Sequence, residues 1–255
     1  MIDSHTHLFL CEGSEAELVS AAAAAGVGRM LTVGLDEATN AEAIASSERH
    51  DGVFAAVGRH PNEADGFDDA AAAEIARLAA HERVRAVGET GLDYYRDTAT
   101  AAAQRRAFAA QIEIAAEAGL PIVIHCREPE GSSEAIDEVI ATLDAKGAGL
   151  TVILHCFCAP QRVAEAVERR WYCSFAGNAT YPRSEGLREA AAEIPEDRIL
   201  VETDAPYLSP QVVRGKRNAP ANVVATAEVI AEVRGVTYEE LERAVEGNAR
   251  ALFGW

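Results

Sequence analysis

Lysine is almost missing from this chain: only Lys146 and Lys216 occur among 255 residues. Asp and Glu number 41 against 23 Lys and Arg, and the formal net charge is -18. So acidic a composition excludes a broad cationic face for nucleic-acid phosphates, and any such partner must meet a local patch. Few lysines, many acids and much alanine suit high salt, where carboxylates hold hydration and screening shortens repulsion. We therefore expect a halophilic source. Cysteine is scarce too. The five cysteines are odd in number and scattered, which excludes a disulfide framework. Cys156 and Cys158 have no second pair to complete a zinc knuckle. Reduced thiols in a cytoplasmic protein are the expectation. Long apolar runs are absent: the most hydrophobic helical stretch, 18–27, is mostly alanine and falls short of the roughly 20 residues a membrane span needs. No signal peptide is expected, because a strand with functional character starts at residue 2.

What the chain has in abundance is aliphatic and alanine-rich sequence. Hydrophobic residues make up 49% of 255, enough for one large core. Short apolar runs lie at 1–5, 30–33, 53–57, 84–87, 122–124, 151–154, 172–175 and 199–201. They alternate with segments rich in Ala, Glu and Arg at helical spacing: 15–25, 38–49, 69–81, 100–118, 133–146, 160–170, 184–192 and 221–234. Such alternation builds a parallel sheet covered by helices. Eight units in this length predict an α/β fold, a closed (β/α)8 TIM barrel. An extra C-terminal helix, 238–252, has no following strand and is expected to pack over an end or side. Ser14 and Asp68 stand where N-caps belong, and Gly26, Gly119 and Gly147 where helices stop. No linker or break in composition appears, so residues 1–255 are expected to form a single domain.

Barrel enzymes carry their chemistry at the C-terminal ends of the strands, and five of the seven histidines fall there. His5 and His7 end the first strand, His60 follows the third, His125 ends the fifth and His155 the sixth. Glu89 follows the fourth strand and Asp204 the eighth. His50 and His81 lie near helix ends and read as surface or capping residues. Residues i and i+2 of a strand share a face, so His5 and His7 can close on one cation. Imidazole and carboxylate donors converging from several strands suit first-row transition metals. His5, His7, His125, His155, Glu89 and Asp204 together exceed what one ion needs, and two ions sharing a bridging carboxylate use them all. Neither lysine lies at a strand end to carry a carbamate bridge, which leaves Glu89. We assign His5, His7 and Asp204 to one ion, His125 and His155 to the other, and Glu89 to both. Two metals roughly 3.5–4 Å apart clamp the attacking and leaving oxygens of an in-line displacement. Asp204 is placed to take a proton from an activated water. The expected cofactor is one or two divalent ions: zinc, manganese, cobalt or iron by donor type.

These residues sit in short runs: Asp3-Ser4-His5-Thr6-His7, Gly58-Arg59-His60-Pro61, Gly88-Glu89-Thr90-Gly91-Leu92-Asp93-Tyr94-Tyr95, Ile124-His125-Cys126-Arg127, Leu154-His155-Cys156-Phe157 and Glu202-Thr203-Asp204-Ala205-Pro206-Tyr207-Leu208. Arg214-Gly215-Lys216-Arg217-Asn218 is a further one. Together, over nearly the whole chain, they resemble the TatD family of metal-dependent deoxyribonucleases, among the amidohydrolase-like barrel hydrolases. The resemblance implies the same ligand set, adds magnesium as a candidate metal, and points to DNA phosphodiester bonds cut by a nuclease, here expected to work from a strand end. The chain departs from the family pattern in three places. Cys158-Ala159-Pro160 stands where a Ser-Gly pair is usual, Pro182 where a lysine follows the seventh strand, and Asn62 where a second histidine is frequent. None removes a ligand; each bears on substrate preference.

Arg214, Lys216 and Arg217 are the densest positive run, in the loop after the eighth strand. Arg214 and Arg217 are expected to grip phosphate, for which the guanidinium fork is suited; the alternative is a solvated loop. His60 is expected to contact a phosphate oxygen or protonate a leaving group, or else to buttress the ligands. Tyr94, Tyr95, Phe157, Tyr181 and Tyr207 lie beyond strand ends, where bases of a single strand could stack. Cys126 and Cys156 follow ligands directly and by alternation are expected to face the helix layer. The expected partner is DNA, as single strands or strand ends, with no membrane and no obligate protein partner. Two other readings stay open. The same metals could hydrolyse an acyl ester, amide or lactone, including aminoacyl-RNA. A non-catalytic metal or nucleic-acid binding protein is the third, against which the full ligand set argues.

Overall fold

The computed structural model describes residues 1–255. Its one sheet holds eight parallel strands in sequence order: β1 (Ile2–Thr6), β2 (Arg29–Val33), β3 (Val53–Val57), β4 (Val84–Asp93), β5 (Ile122–Arg127), β6 (Val152–Leu154), β7 (Tyr172–Phe175) and β8 (Ile199–Val201). Parallel neighbours require crossovers. These are α1 (Glu15–Ala24), α2 (Glu37–Arg49), α3 (Asp69–Ala79), α4 (Ala101–Ala118), α5 (Glu134–Lys146), α6 (Val163–Glu168) and α7 (Glu185–Glu193), while α8 (Val223–Arg234) follows β8. This is the (β/α)8 barrel that the alternation predicts. β8 meets β1 at the C-terminal ends of the strands. Thr6 bridges Ala205 there, the Asp204 amide donates to the His5 carbonyl at 2.9 Å, and the His7 amide donates to the Ala205 carbonyl at 2.7 Å. Ring closure and site assembly therefore use the same few residues.

Helix starts follow their side chains. Ser14 and Glu17 form a capping box on α1, and Asp68 accepts the Ala71 amide to start α3. Gly119 ends α4 in the left-handed conformation, whereas Gly147 ends α5 without it. The expected helix 160–170 is shorter. Pro160 opens a single 3-10 turn, Pro160–Arg162, and α6 begins only at Val163. The barrel core is aliphatic: Ala55, Ala56, Ala86, Val87 and Ile124 are fully buried. α4 lays Phe108, Ile112 and Ala115 against it, and burying a side chain such as Phe108 stabilises the fold by about 2–3 kcal/mol.

β4 runs past the predicted 84–87 to Asp93, so Glu89 lies inside a strand rather than after one. Its pairing with β5 shifts register between Val87 and Thr90, then resumes as Thr90 with Ile124 and Gly91 with His125. Gly88, Thr90 and Gly91 look like turn formers in sequence; in the barrel the glycines let β4 approach β5 closely. Two glutamines of α4 hold this extension. Gln104 accepts the Asp93 amide at 2.9 Å and donates to the Asp93 carbonyl at 3.0 Å. Gln111 donates to Thr90 Oγ1 at 2.7 Å and accepts the Arg59 amide at 2.8 Å.

The last helix, α9 (Tyr238–Phe253), packs at the far end. Asn248 donates to the carbonyls of Glu196 and Ile199, both at 2.8 Å, where β8 begins. No helix is long and apolar enough to cross a membrane. All five cysteines are free thiols.

Candidate metal centre

At the C-terminal ends of the strands five imidazoles face one buried carboxylate. His125 Nδ1 lies 2.6 Å from Glu89 Oε1, His155 Nε2 2.9 Å and His60 Nε2 3.4 Å. The other oxygen, Oε2, faces His5 Nε2 at 3.3 Å and His7 Nε2 at 3.7 Å. Those two nitrogens are 3.4 Å apart, and Asp204 Oδ1 lies 3.4 Å from His7 Nε2 and 4.0 Å from His5 Nε2. Each oxygen of Glu89 thus has its own set of donors. A tetrahedral cation with bonds of about 2.0–2.1 Å holds its donors roughly 3.3 Å apart. The His5, His7 and Glu89 separations of 3.3–3.7 Å come near that edge, and Asp204 stands beside them, closer to His7 than to His5. Three compact groups of possible donor atoms stand out: His5–His7–Glu89, His60–Glu89–His125 and His5–His155–Glu202.

For His7, His125 and His155 the far side of the ring faces an acceptor, whereas His5 Nδ1 has no hydrogen-bond partner. His7 Nδ1 donates to the Val33 carbonyl at 2.7 Å, leaving the Nε2 lone pair for the cluster. His155 Nδ1 faces Glu202 Oε1 at 3.0 Å, and His125 Nε2 faces Asp93 Oδ2 at 3.3 Å. Ligating imidazoles characteristically have such acceptors behind them, which fix tautomer and ring orientation. His60 differs: its Nδ1 accepts the Asn62 amide at 3.0 Å, so the neutral ring carries its proton on Nε2. Asp204 has a left-handed backbone, φ 54°, a conformation aspartate tolerates better than most residues. The His5 carbonyl and the Tyr207 amide hold it there.

The charges are mutually dependent. Burial opposes ionisation of Glu89, yet His155, His60 and His5, with the hydrogen bond from His125, hold it well below the usual carboxylate range. Burial likewise disfavours a charged His155, but Glu89 and Glu202 hold its pKa well above the ordinary imidazole value. For His125, hydrogen bonds to Asp93 and Glu89 outweigh burial and raise it to about 9. Burial and the neighbouring His155 lower His5, and burial lowers His60. A divalent cation supplies the positive charge that these shared protons carry, so cation and protons compete for the same nitrogens.

Asp93, Glu202 and Asn62 escaped the sequence reading as site residues, although Asp93 and Glu202 stand in the motifs. The available signal was parity: Glu202 lies two residues before Asp204, as His5 lies two before His7. Asn62 donates to Asp93 Oδ2 at 3.0 Å. Burial raises the carboxyl of Asp93, but His125 overrides it and holds the pKa at about 2, against 3.8 ordinarily. A depressed carboxylate pKa adds stability above the unfolded value, and that contribution is lost as pH falls through the folded one. The difference is about 2 kcal/mol. Asp93→Asn is therefore expected to unfold at lower urea than the parent at pH 7, and to lose less stability between pH 4 and pH 2. Equal losses in the two proteins over that interval would disprove the linkage.

A cavity of about 690 Å³ opens over the cluster, lined by His7, His60, Glu89, His125, His155 and Asp204 among others. Its arginines are Arg96 and Arg127, not Arg214 or Arg217. Arg214 instead stacks on Tyr181, 3.8 Å from the ring centre. Arg217 pairs with Glu12 at 3.4 Å. Lys216 lies in the same exposed loop. Cys126 is buried in the hydrophobic core, as expected, and also borders the cavity, whereas Cys156 lies outside that core and lines the cavity. Simple alternation fails at Cys156, whose φ of 42° turns the chain sharply after β6. His50 and His81 lie elsewhere, against Glu15 and Glu48.

A closed (β/α)8 barrel with this histidine–carboxylate cluster at the C-terminal ends of its strands defines a metal-dependent hydrolase. The family model described as TatD related DNase matches residues 2–254. This chain belongs to that family. It is 38% identical over 257 residues to an uncharacterised metal-dependent hydrolase, YabD of Bacillus subtilis, covering 99% of this chain and 98% of the relative. It is 35% identical over 244 residues to a 3'-5' ssDNA/RNA exonuclease, TatD of Cronobacter sakazakii, covering 93% and 90%. The crystal structure of YJJV, a TatD homolog from Escherichia coli, superposes with a TM-score of 0.91 at 26% identity, covering 100% of this chain and 98% of that one.

Proposed function

We propose that this protein hydrolyses phosphodiester bonds of single-stranded DNA from a strand end. The observation that carries the reading is Glu89, whose two oxygens face separate donor sets, His5 and His7 on one side, His125 and His155 on the other. His5, His7, Asp204 and Glu89 would hold one divalent ion, and His125, His155 and Glu89 a second. Bound there, such ions acidify a water and polarise a phosphoryl oxygen.

The chain's own residues do the rest. Asp204 accepts the water's proton; burial opposes its charge, but the hydrogen bond with His7 keeps its carboxyl below the ordinary value and ionised. His60 presents an Nε2 proton to the cavity, so it donates to a phosphate or leaving oxygen and offers no lone pair to a cation. Arg96 and Arg127 supply positive charge on the cavity wall. Arg127 stacks on Tyr95 at 4.2 Å, and Tyr95 is 57% exposed, which leaves room for a nucleobase. Arg214 and Arg217 engage the strand farther from the scissile bond. The Cronobacter relative's name, 3'-5' ssDNA/RNA exonuclease, supports single-stranded nucleic acid as the substrate class.

The test is hydrolysis of defined single-stranded and duplex oligonucleotides with zinc, manganese, cobalt, iron or magnesium added, at low salt and in molar potassium chloride. Acyl esters and aminoacyl-RNA run in parallel. The expected result is stepwise nucleotide release from one end of single strands, abolished by chelation. Acyl hydrolysis without nucleotide release under any metal would overturn the reading.

A further inference from the structure

Cys126 and Cys158 meet on the wall of the cavity, and neither has a part in the chemistry above. Cys126 follows His125 on β5 and is buried, whereas Cys158 is the exposed cysteine of the chain. The Cys158 thiol donates to the Cys126 carbonyl at 2.7 Å, which sets its sulfur directly against that residue. The backbone explains the meeting. β5 and β6 pair in parallel with Ile124 opposite Leu154, which would align Cys126 with Cys156. The left-handed turn at Cys156 breaks that line and brings Cys158 back over Cys126. Cys156 points elsewhere, taking a hydrogen bond from Asn178 at 3.7 Å.

We propose that Cys126 and Cys158 are an oxidative modification site: a reversible disulfide, formed by hydrogen peroxide, that slows the hydrolase. The exposed Cys158 sulfur attacks the O–O bond, becoming a sulfenic acid with release of one water. The Cys126 sulfur then displaces the sulfenic oxygen, which leaves as a second water, and the S–S bond forms. Two thiols are oxidised and one peroxide is reduced to two waters. A dithiol reductant reverses the step by exchange. Bridging pulls Cys158 off the Cys126 carbonyl. It drags the loop three residues beyond His155 toward the strand that carries His125. A displacement of about 1 Å near reacting groups costs on the order of 10²-fold in rate. The expected loss is at least tenfold, relieved by dithiothreitol.

The bridge itself is independent of the proposed hydrolase reading; only its effect on turnover rests on it. The metal-free protein, treated with a few equivalents of peroxide, is alkylated, digested and analysed by mass spectrometry. The expected product is a cross-linked Cys126–Cys158 peptide pair that dithiothreitol separates. Cys158→Ser and Cys126→Ser yield none and keep the parent's circular dichroism. Oligonucleotide hydrolysis is then measured after adding manganese to oxidised and reduced samples. The parent loses activity on oxidation and regains it on reduction, while the activity of Cys158→Ser is the same before and after each treatment. A Cys156–Cys158 bridge, or sulfinic acid at Cys158 without a bridge, would overturn the site. A bridged parent with full activity would overturn the control.

Discussion

Glu89→Gln is expected to lower kcat by about 10³-fold or more while the barrel stays folded. The substitution keeps the shape of the side chain and changes what it offers. A carboxylate accepts at both oxygens; an amide has one acceptor and one NH2. Whichever way the amide turns, it presents N–H either to His5 and His7 or to His125 and His155, because the two oxygens of Glu89 face those pairs separately. One donor set therefore loses its shared member, and both lose the negative charge that burial among five imidazoles concentrates. Three measurements check this: oligonucleotide hydrolysis at saturating metal, bound metal per chain by elemental analysis, and far-ultraviolet circular dichroism. Metal content and rate should fall together with the spectrum unchanged. A variant within threefold of the parent's rate would remove Glu89 from the mechanism.

Gly91→Ala is expected to be the most damaging single methyl group in the site. Gly91 has φ 136°, a conformation side chains rarely adopt. A Cβ there would stand 2.0 Å from the His125 carbonyl oxygen. The contact is with backbone, so no rotamer change relieves it. Either β4 withdraws from β5, breaking the pairing of Gly91 with His125, or His125 moves. Strain and overpacking together cost about 3 kcal/mol or more, which lowers Tm by roughly 6–12 °C in a domain of this size. Activity should fall by about 10²-fold, since His125 contacts Glu89 directly. Thermal unfolding and hydrolysis rates check both halves. Gly66→Ala is the control: φ is 82° there, but nothing lies within 4 Å of the added carbon. It should cost about 1 kcal/mol and no activity.

Much of the barrel was legible because it is periodic. The expected runs 53–57, 172–175 and 199–201 coincide with β3, β7 and β8. Period-2 and period-3.6 patterns are local, so composition alone locates them. The exception, β4, is instructive. Its outer half, Gly88 to Asp93, has the glycines of a turn, and it stays extended only because β5 and two glutamines of α4 pair with it. Those partners lie from 11 to 34 residues away, beyond any local pattern. The same limit hid Asp93 and Glu202. Both are carboxylates beside ligands, but only the folded chain shows them facing His125 and His155.

Sequence alone determined the kind of atoms available and the end of the barrel that holds them, since strand ends and residue types are both read locally. Tertiary structure decided the rest. It settled which nitrogen of each ring points inward, which oxygen of Glu89 meets which pair, and which arginines reach the cavity. Those outcomes depend on the register shift between Val87 and Thr90, the meeting of β8 with β1, and the hydrogen-bond partners behind His7, His60, His125 and His155. All three are relations between residues far apart in the chain, and hydrogen-bond geometry between distant segments exists only once the barrel has closed.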